Sequence, residues 1–460
     1  MRRLLLVVAS TALLAAACQG GTGRPQPTPT PQRSTTPSST PVAGRLPAWP
    51  TYHHDDERSG YVRRGPTGPL RPAWTARLDG AVYGEPLVAD HLLIVATEEN
   101  QVYGLNPVTG VVRWHTDLGP PQPLSGLPCG NIDPLGVTGT PAYDRGTGLV
   151  FVVAEAAGGL HDLFALDAAS GALRWRRNLD TQPGRDRLAE QQRSALLVAH
   201  GRVITAFGGL FGDCGNYVGY LTSVAVDGRG PIASYAVPTA RQGGIWAPPG
   251  PVLGPNGSVY VASGNGAARS GPWDRSDSVT ALSPVTLRPR SAFAPDSWPA
   301  DNAGDLDLGS MSPAVVPAVA RLVIAGKRGT VYLLRPPLAG VGSELARLPG
   351  CTAFGGAAVV GSMVLMPCLG EYAIRALMVG PRSLRWAWTR PGVYGSPVVA
   401  GSRVYVADRQ SGDLVVLSLA DGSVRQRLPA GPLPHFPSEA VSGDWVFVPT
   451  LDGVTAFRSR

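Results

Sequence analysis

Between residues 301 and 307 the chain carries Asp301, Asn302, Asp305 and Asp307, four oxygen-bearing side chains in one short stretch. Calcium takes about six to eight oxygen ligands. These four, with a backbone carbonyl, are the sharpest candidates for a metal site. The spacing is not that of an EF-hand, because no Glu closes it at the required offset. Asp and Asn also cap turns through their own side chains, and that structural role is the simpler alternative. Lys327, in Gly326-Lys327-Arg328-Gly329, is the single lysine among 40 basic residues. Asp305, Asp307 and Lys327 are the candidate catalytic residues. Other chemistries are not encoded: there is no G-x-S-x-G, no H-E-x-x-H and no Walker loop. Ser263-Gly264-Asn265-Gly266 is glycine-rich but opens no helix, so it cradles no phosphate. His53, His54, His161 and His435 are scattered and are read as solvated or core residues.

The elements that position these loops are repeated. Leu105-Asn106-Pro107-Val108-Thr109-Gly110-Val111-Val112-Arg113-Trp114 recurs as Leu166 to Trp175 and, worn, as Leu417 to Gln426. Ahead of the first copy, Leu92 to Thr97 is an apolar run, Glu98-Glu99-Asn100 a polar turn, and Val102 to Leu105 a second run. Four antiparallel strands in about 40 residues make a propeller blade. The repeated Trp suits the gap between neighbouring blades. Following the pattern through weaker copies predicts an all-β, eight-bladed propeller, with seven blades as the alternative. The C-terminal segment 432–460 is one strand short. Strand 72–78, around Trp74, supplies it and closes the ring. Most repeat residues therefore serve architecture, and function belongs to the loops.

Residues 1–17 read as a signal peptide: Met1-Arg2-Arg3, then a predominantly apolar stretch of 14 residues, too short to span a bilayer. They end before Cys18 as a bacterial lipobox does, so Cys18 is the expected lipidation site; ordinary cleavage is the alternative. Residues 18–48, rich in Pro, Thr, Ser and Gly, form an extended tether, and 49–460 form the propeller. The expected location is the outer face of the bacterial cytoplasmic membrane, held through lipid alone. Four cysteines remain, an even number in an exported chain. Cys351 and Cys368 share one blade, which leaves Cys129 to pair with Cys214. Basic residues form no runs interleaved with aromatics, so nucleic acid is not an expected partner.

The repeat, with the entry sequence Trp49-Pro50-Thr51-Tyr52-His53-His54-Asp55-Asp56-Glu57-Arg58-Ser59-Gly60, resembles the pyrroloquinoline quinone-like (PQQ-like) propeller family over residues 49–460. The resemblance implies two kinds of relative: calcium-dependent quinoprotein alcohol dehydrogenases, and cofactor-free lipoproteins of outer-membrane assembly. If a quinone is bound, Trp246 would stack on it, Arg193 or Lys327 would bind its carboxylates, and Asp305 or Asp307 would act as base. The dehydrogenases carry a disulfide between adjacent cysteines, and this chain has no adjacent cysteines. Nor has it a C-x-x-C-H haem motif. The favoured expectation is a monomeric, non-enzymatic module without cofactor that binds a cell-envelope protein, peptide or glycan. A PQQ- and calcium-dependent alcohol or sugar dehydrogenase is the alternative. The ligand face is expected to include Tyr83, Glu85, Asn131, Asp133, Gln192, Arg193, Trp246, Phe354, Tyr394 and His435. The enzyme predicts acids and a cation converging on one axial pocket. The scaffold predicts a water-filled channel with these groups scattered and self-satisfied.

Overall fold

A computed structural model describes residues 46–459 apart from residue 90. The leader 1–17, Cys18 and all but the last three residues of the 18–48 arm lie outside the described residues. The apolar runs become strands buried on both faces, as in Leu92–Ala96 and Gln101–Leu105. The outermost strand of a blade alternates, as in Val112–Asp117, where every second residue stays exposed. That is the burial expected of sheets stacked radially, where the middle strands of each blade are covered by both neighbours.

Eight such sheets are present among the described residues. Blades one to seven span residues 87–117, 142–178, 197–236, 252–294, 314–349, 358–391 and 398–429. The eighth joins Leu70–Arg77 to three C-terminal strands, with Trp74 opposite Ala456. Ring closure therefore works as strand 72–78 predicted, and the seven-bladed alternative falls. Blades three to five, where the sequence repeat is weakest, each carry at least four strands.

The repeat's Trp and Gly form a clasp between blades. Trp114, on blade one, lies over the turn of blade two, where a Cβ on Gly171 would come within 2.4 Å of its ring. Trp74 and Trp175 dock on Gly110 and Gly228 in the same way. In blade six the sequence copy is out of phase. The bulge that precedes Trp114 and Trp175 falls two residues later, so Trp388 docks on Gly422 and Trp386 turns to Arg375.

Two features were not foreseen. The entry to blade five, read as an open loop from Asp301 to Ser310, begins as a helix, Trp298–Gly304, started by Pro299 and ended by Asp305 in left-handed backbone at φ 53°. The entry sequence Trp49–Gly60 crosses the ring. Trp49 pairs with Val88 of blade one, Tyr143 donates its backbone N–H to Pro50, and the Arg58 guanidinium donates to Leu196. His53 reaches Ala357 and the Ser438 hydroxyl, and Tyr61–Val62 joins blade seven as a parallel strand. The segment thus ties together blades one, two, three, six, seven and eight. An open, water-filled channel is the expectation that this segment overturns, because Trp49, Tyr52 and His53 are fully buried within the ring. Both disulfides pair as expected, Cys129 with Cys214 and Cys351 with Cys368.

Candidate functional site

The loops that enter the inner strands and those between second and third strands meet on one face. Their shared cavity, about 370 Å³, is lined from blades two, three, four, five, six and eight, which puts it on the ring axis. Asn131, Arg193, Trp246, Asp305, Asp307, Lys327, Phe354 and His435, all singled out by sequence, line it.

Lys327 is the charged centre. Its Nζ lies 2.8 Å from Asp305 and 2.7 Å from Asp307, and 5.8 Å over the Trp246 ring. Burial pulls the pKa of this ammonium down, but Asp307 and Asp305 more than offset it and hold it above the ordinary value. Asp307 is buried; its second oxygen accepts the Asn265 N–H at 2.6 Å. Gly264 is required there, since a Cβ would sit 2.2 Å from that carboxylate. Asp305, at the helix end, is exposed.

Three aromatic rings make one wall. Trp246 meets Phe354 and Phe436 at 6.2 and 6.3 Å with tilts of 49° and 44°, and the two phenylalanines lie parallel at 6.0 Å. Arg193 stacks its guanidinium over Phe436 at 5.2 Å. Burial, with Arg409 and Arg193 nearby, lowers the His435 pKa to about 4, so this imidazole is neutral at pH 7. Opposite stand Asp213, which accepts the Tyr217 hydroxyl, and Phe211, 67% exposed. Phe436, Asp213 and Phe211 escaped the sequence reading. Their signals were adjacency to His435 and to Cys214, whose disulfide fixes that loop.

The remaining candidates go elsewhere. Asp301 pairs with Arg328 and accepts the Ser297 hydroxyl, while Asn302 bridges Gly266, Ala268 and Ser276. The helix turns these two away from Asp305 and Asp307, so the four oxygens share no centre. Tyr83 lines a narrow neighbouring cleft with Arg193 and His435. Gln192 is buried against Ser194, and Tyr394 donates to the Phe354 carbonyl at 3.2 Å. Asp133 is exposed and accepts the Leu124 N–H. Glu85 lies beneath, accepting the Trp49 indole and the His53 N–H. Burial pushes its pKa up to about 7.

A family model described as outer membrane protein assembly factor BamB matches residues 67–283, just under half of the chain. Among solved structures, a quinohemoprotein alcohol dehydrogenase from Pseudomonas putida HK5 is similar at TM-score 0.70 and 16% identity, over 89% of this chain and 80% of that one. A europium-containing methanol dehydrogenase gives 0.69 and 15%, over 89% and 98%. BamB from Moraxella catarrhalis gives 0.56 and 16%, over 85% and 100%. No curated protein matches the chain by sequence. At these identities the likeness is one of fold, shared by enzymes and by an assembly factor alike. The chain therefore shares the eight-bladed β-propeller fold of these neighbours, and its residues 67–283 match the BamB family model.

Proposed function

We propose that the chain is a membrane-tethered, extracytoplasmic binding module whose mouth takes an aromatic-bearing segment of a cell-envelope polypeptide. The observation that carries this is the combination of an open aromatic wall, Trp246, Phe354 and Phe436, with Lys327 already paired to Asp305 and Asp307. Such a pocket recognises its ligand by stacking and apolar burial, and the exposed Phe211 extends the same surface to the rim. The leader and Cys18 support anchoring outside the cytoplasmic membrane, and two disulfides suit an oxidising compartment. The match to the BamB description supports a protein rather than a small molecule as partner.

A quinoprotein dehydrogenase is the second reading, favoured by one fact: Trp246, Lys327 and Asp307 converge in a single cavity. The same residues fit a quinone and calcium poorly. The Lys327 ammonium stands between the two carboxylates a calcium would need, and it lies over the indole face a quinone would cover. Titrating the metal-stripped chain with PQQ and Ca²⁺ together, with thermal shift and dye-linked oxidation of alcohols and sugars, separates the two. The expected result is no shift and no turnover, with saturable quenching of tryptophan fluorescence by Phe- and Tyr-rich peptides that Trp246→Ala abolishes. Calcium-dependent stabilisation with turnover replaces the binding reading. Quenching by oligosaccharides alone moves the ligand class to glycans.

A further inference from the structure

Away from the mouth, between blades two and three, lies a second cluster that the proposed function does not use. Glu155 and His161 are directly opposite each other on neighbouring strands of blade two, Leu149–Ala156 and Leu160–Asp167. Asp180 follows the outer strand of the same blade. Glu190 comes from Glu190–Gln191, which pairs with the Arg202–Gly209 strand of blade three. His161, Glu155 and Glu190 are buried almost completely, and Asp180 keeps a 15% exposed side chain that opens the seam to water. Phe207 meets the imidazole edge-on at 5.2 Å, and Tyr220 stacks on Phe207 with its hydroxyl hydrogen-bonded to Glu190.

The contacts are specific. His161 Nδ1 is 2.8 Å from Asp180 Oδ1, and Nε2 is 3.3 Å from Glu155 Oε2. Asp180 is fixed by its other oxygen, which accepts from Asn178 at 2.8 Å and faces the His161 N–H at 3.3 Å. One ligand atom each from His161, Asp180 and Glu190 lies within 4.8 Å of the others. Glu155 Oε1 and Glu190 Oε1 are buried without any hydrogen-bond partner. Among the described residues no Lys or Arg pairs with these three carboxylates, so His161 is their one possible positive charge. Three acids against one imidazole leave two carboxylate oxygens buried and unpartnered in the seam. Buried oxygens of that kind are ordinarily paired or bound to metal.

We propose that His161 Nδ1, Asp180 and Glu190 are ligands of a divalent transition-metal ion, of which zinc is the probe of choice, and that Glu155 orients the imidazole through Nε2. One nitrogen and two carboxylates without sulfur suit zinc or manganese rather than a soft-metal site. A carboxylate behind a ligating histidine fixes its tautomer and ring plane, the role Glu155 is placed to fill. The exposed edge of Asp180 leaves room for water to complete the coordination shell.

The test uses the full chain. Metal content of the purified protein is measured, then the chelator-stripped chain is titrated with Zn²⁺ and, separately, Mn²⁺ and Ca²⁺. The expected result is one equivalent of Zn²⁺ per chain, with thermal stabilisation, and weaker binding of Ca²⁺. Glu190→Gln should weaken Zn²⁺ at least tenfold. Glu155→Gln, a positioning change, should weaken it roughly 10–100-fold, with far-UV dichroism of both stripped variants unchanged. X-ray absorption on the zinc-loaded wild type needs no variant, and should show one imidazole with oxygens. Absence of stoichiometric binding, affinity unmoved in Glu190→Gln, or a shell of several imidazoles overturns the assignment.

Discussion

The buried acids of this ring fall into two regions that solve the same problem differently. At the entry to blade five, Asp307 leans on Lys327 and Asp301 on Arg328, while Asp277 beside them, bound to the Leu308 N–H, keeps one oxygen unpartnered. In blades one, two, three and eight, Glu98, Glu155, Glu190 and Glu439 each keep one oxygen with no partner. No Lys or Arg within salt-bridge distance serves any of them among the described residues. Burial pushes the pKa of Glu98 up to about 8 and that of Glu439 well above its ordinary value. A cation beside a carboxylate favours its ionised form and can hold a loop. An unpaired one must keep a proton or take an ion. Residues that look most chemical by type, Lys327 and its aspartates, are the self-satisfied group, and the bland glutamates have unfilled valence.

The sharpest way to break that contrast is to unpair the satisfied region. Asp307→Asn removes the buried partner of Lys327 while the amide oxygen still accepts the Asn265 N–H. Removing one member of a buried ion pair costs about 3–5 kcal/mol. Urea unfolding should show the midpoint falling by that equivalent with an unchanged slope. A loss below about 1 kcal/mol would mean that blade five does not depend on its ion pair.

The unpaired region is sharpened by pH. Glu85, with its pKa at about 7, is pushed up mainly by burial; the Ser438 hydroxyl, the Trp49 indole, the His53 N–H and the Arg58 charge pull the other way. Tyr52 and Glu439 also face it. The folded pKa lies above the unfolded one, so the stability tied to its proton is complete below about pH 4.5 and is lost as pH rises through about 7. The size is about 3 kcal/mol. Glu85→Gln keeps an oxygen for Trp49 and His53 and carries no titration. The stability difference between pH 5 and pH 8 should therefore shrink by up to about 3 kcal/mol in this variant. Glu98 titrates with the same sign and stays in place, so part of the slope survives. An unchanged difference between the two pH values would show that Glu85 is ionised and paired in the fold.

Much of this was legible in the chain, and the rest was hidden for identifiable reasons. The apolar runs and the Leu-Asp-Ala-Ala-Ser-Gly turn gave the blades, because strand period and turn chemistry are local. Leu384-Arg385-Trp386 matches the end of the repeat by composition, yet Trp388 is the residue that docks, since a bulge is set by tertiary pairing that shifts phase without changing composition. Asp301 and Asn302 looked equivalent to Asp305 and Asp307 in sequence. A helix of seven residues is too short to announce itself by period, yet it rotates the first two away. His161 stood alone in the sequence, for its partners Asp180 and Glu190 come from later segments, one of them belonging to the next blade.

The smallest effect tests whether the blade-five group is one unit or two. Asp305 shares Lys327 with Asp307 at almost the same distance, but its side chain is 62% exposed and Asp307's is 4%. Water and salt screen the outer contact, so geometry alone overstates it. Asp305→Asn should cost less than about 1 kcal/mol, and added salt should erase the loss. The same variant frees one side of Lys327 toward the cavity, so affinity for an acidic, aromatic peptide should rise a few-fold. That rise should be absent in Trp246→Ala, where stacking is gone. If Asp305→Asn costs as much as Asp307→Asn, the three groups act as a single cooperative unit, and exposure does not divide them. If the cost is small while peptide affinity rises, Asp307 is the anchor of the loop and Asp305 is a gate on the charge that the pocket offers.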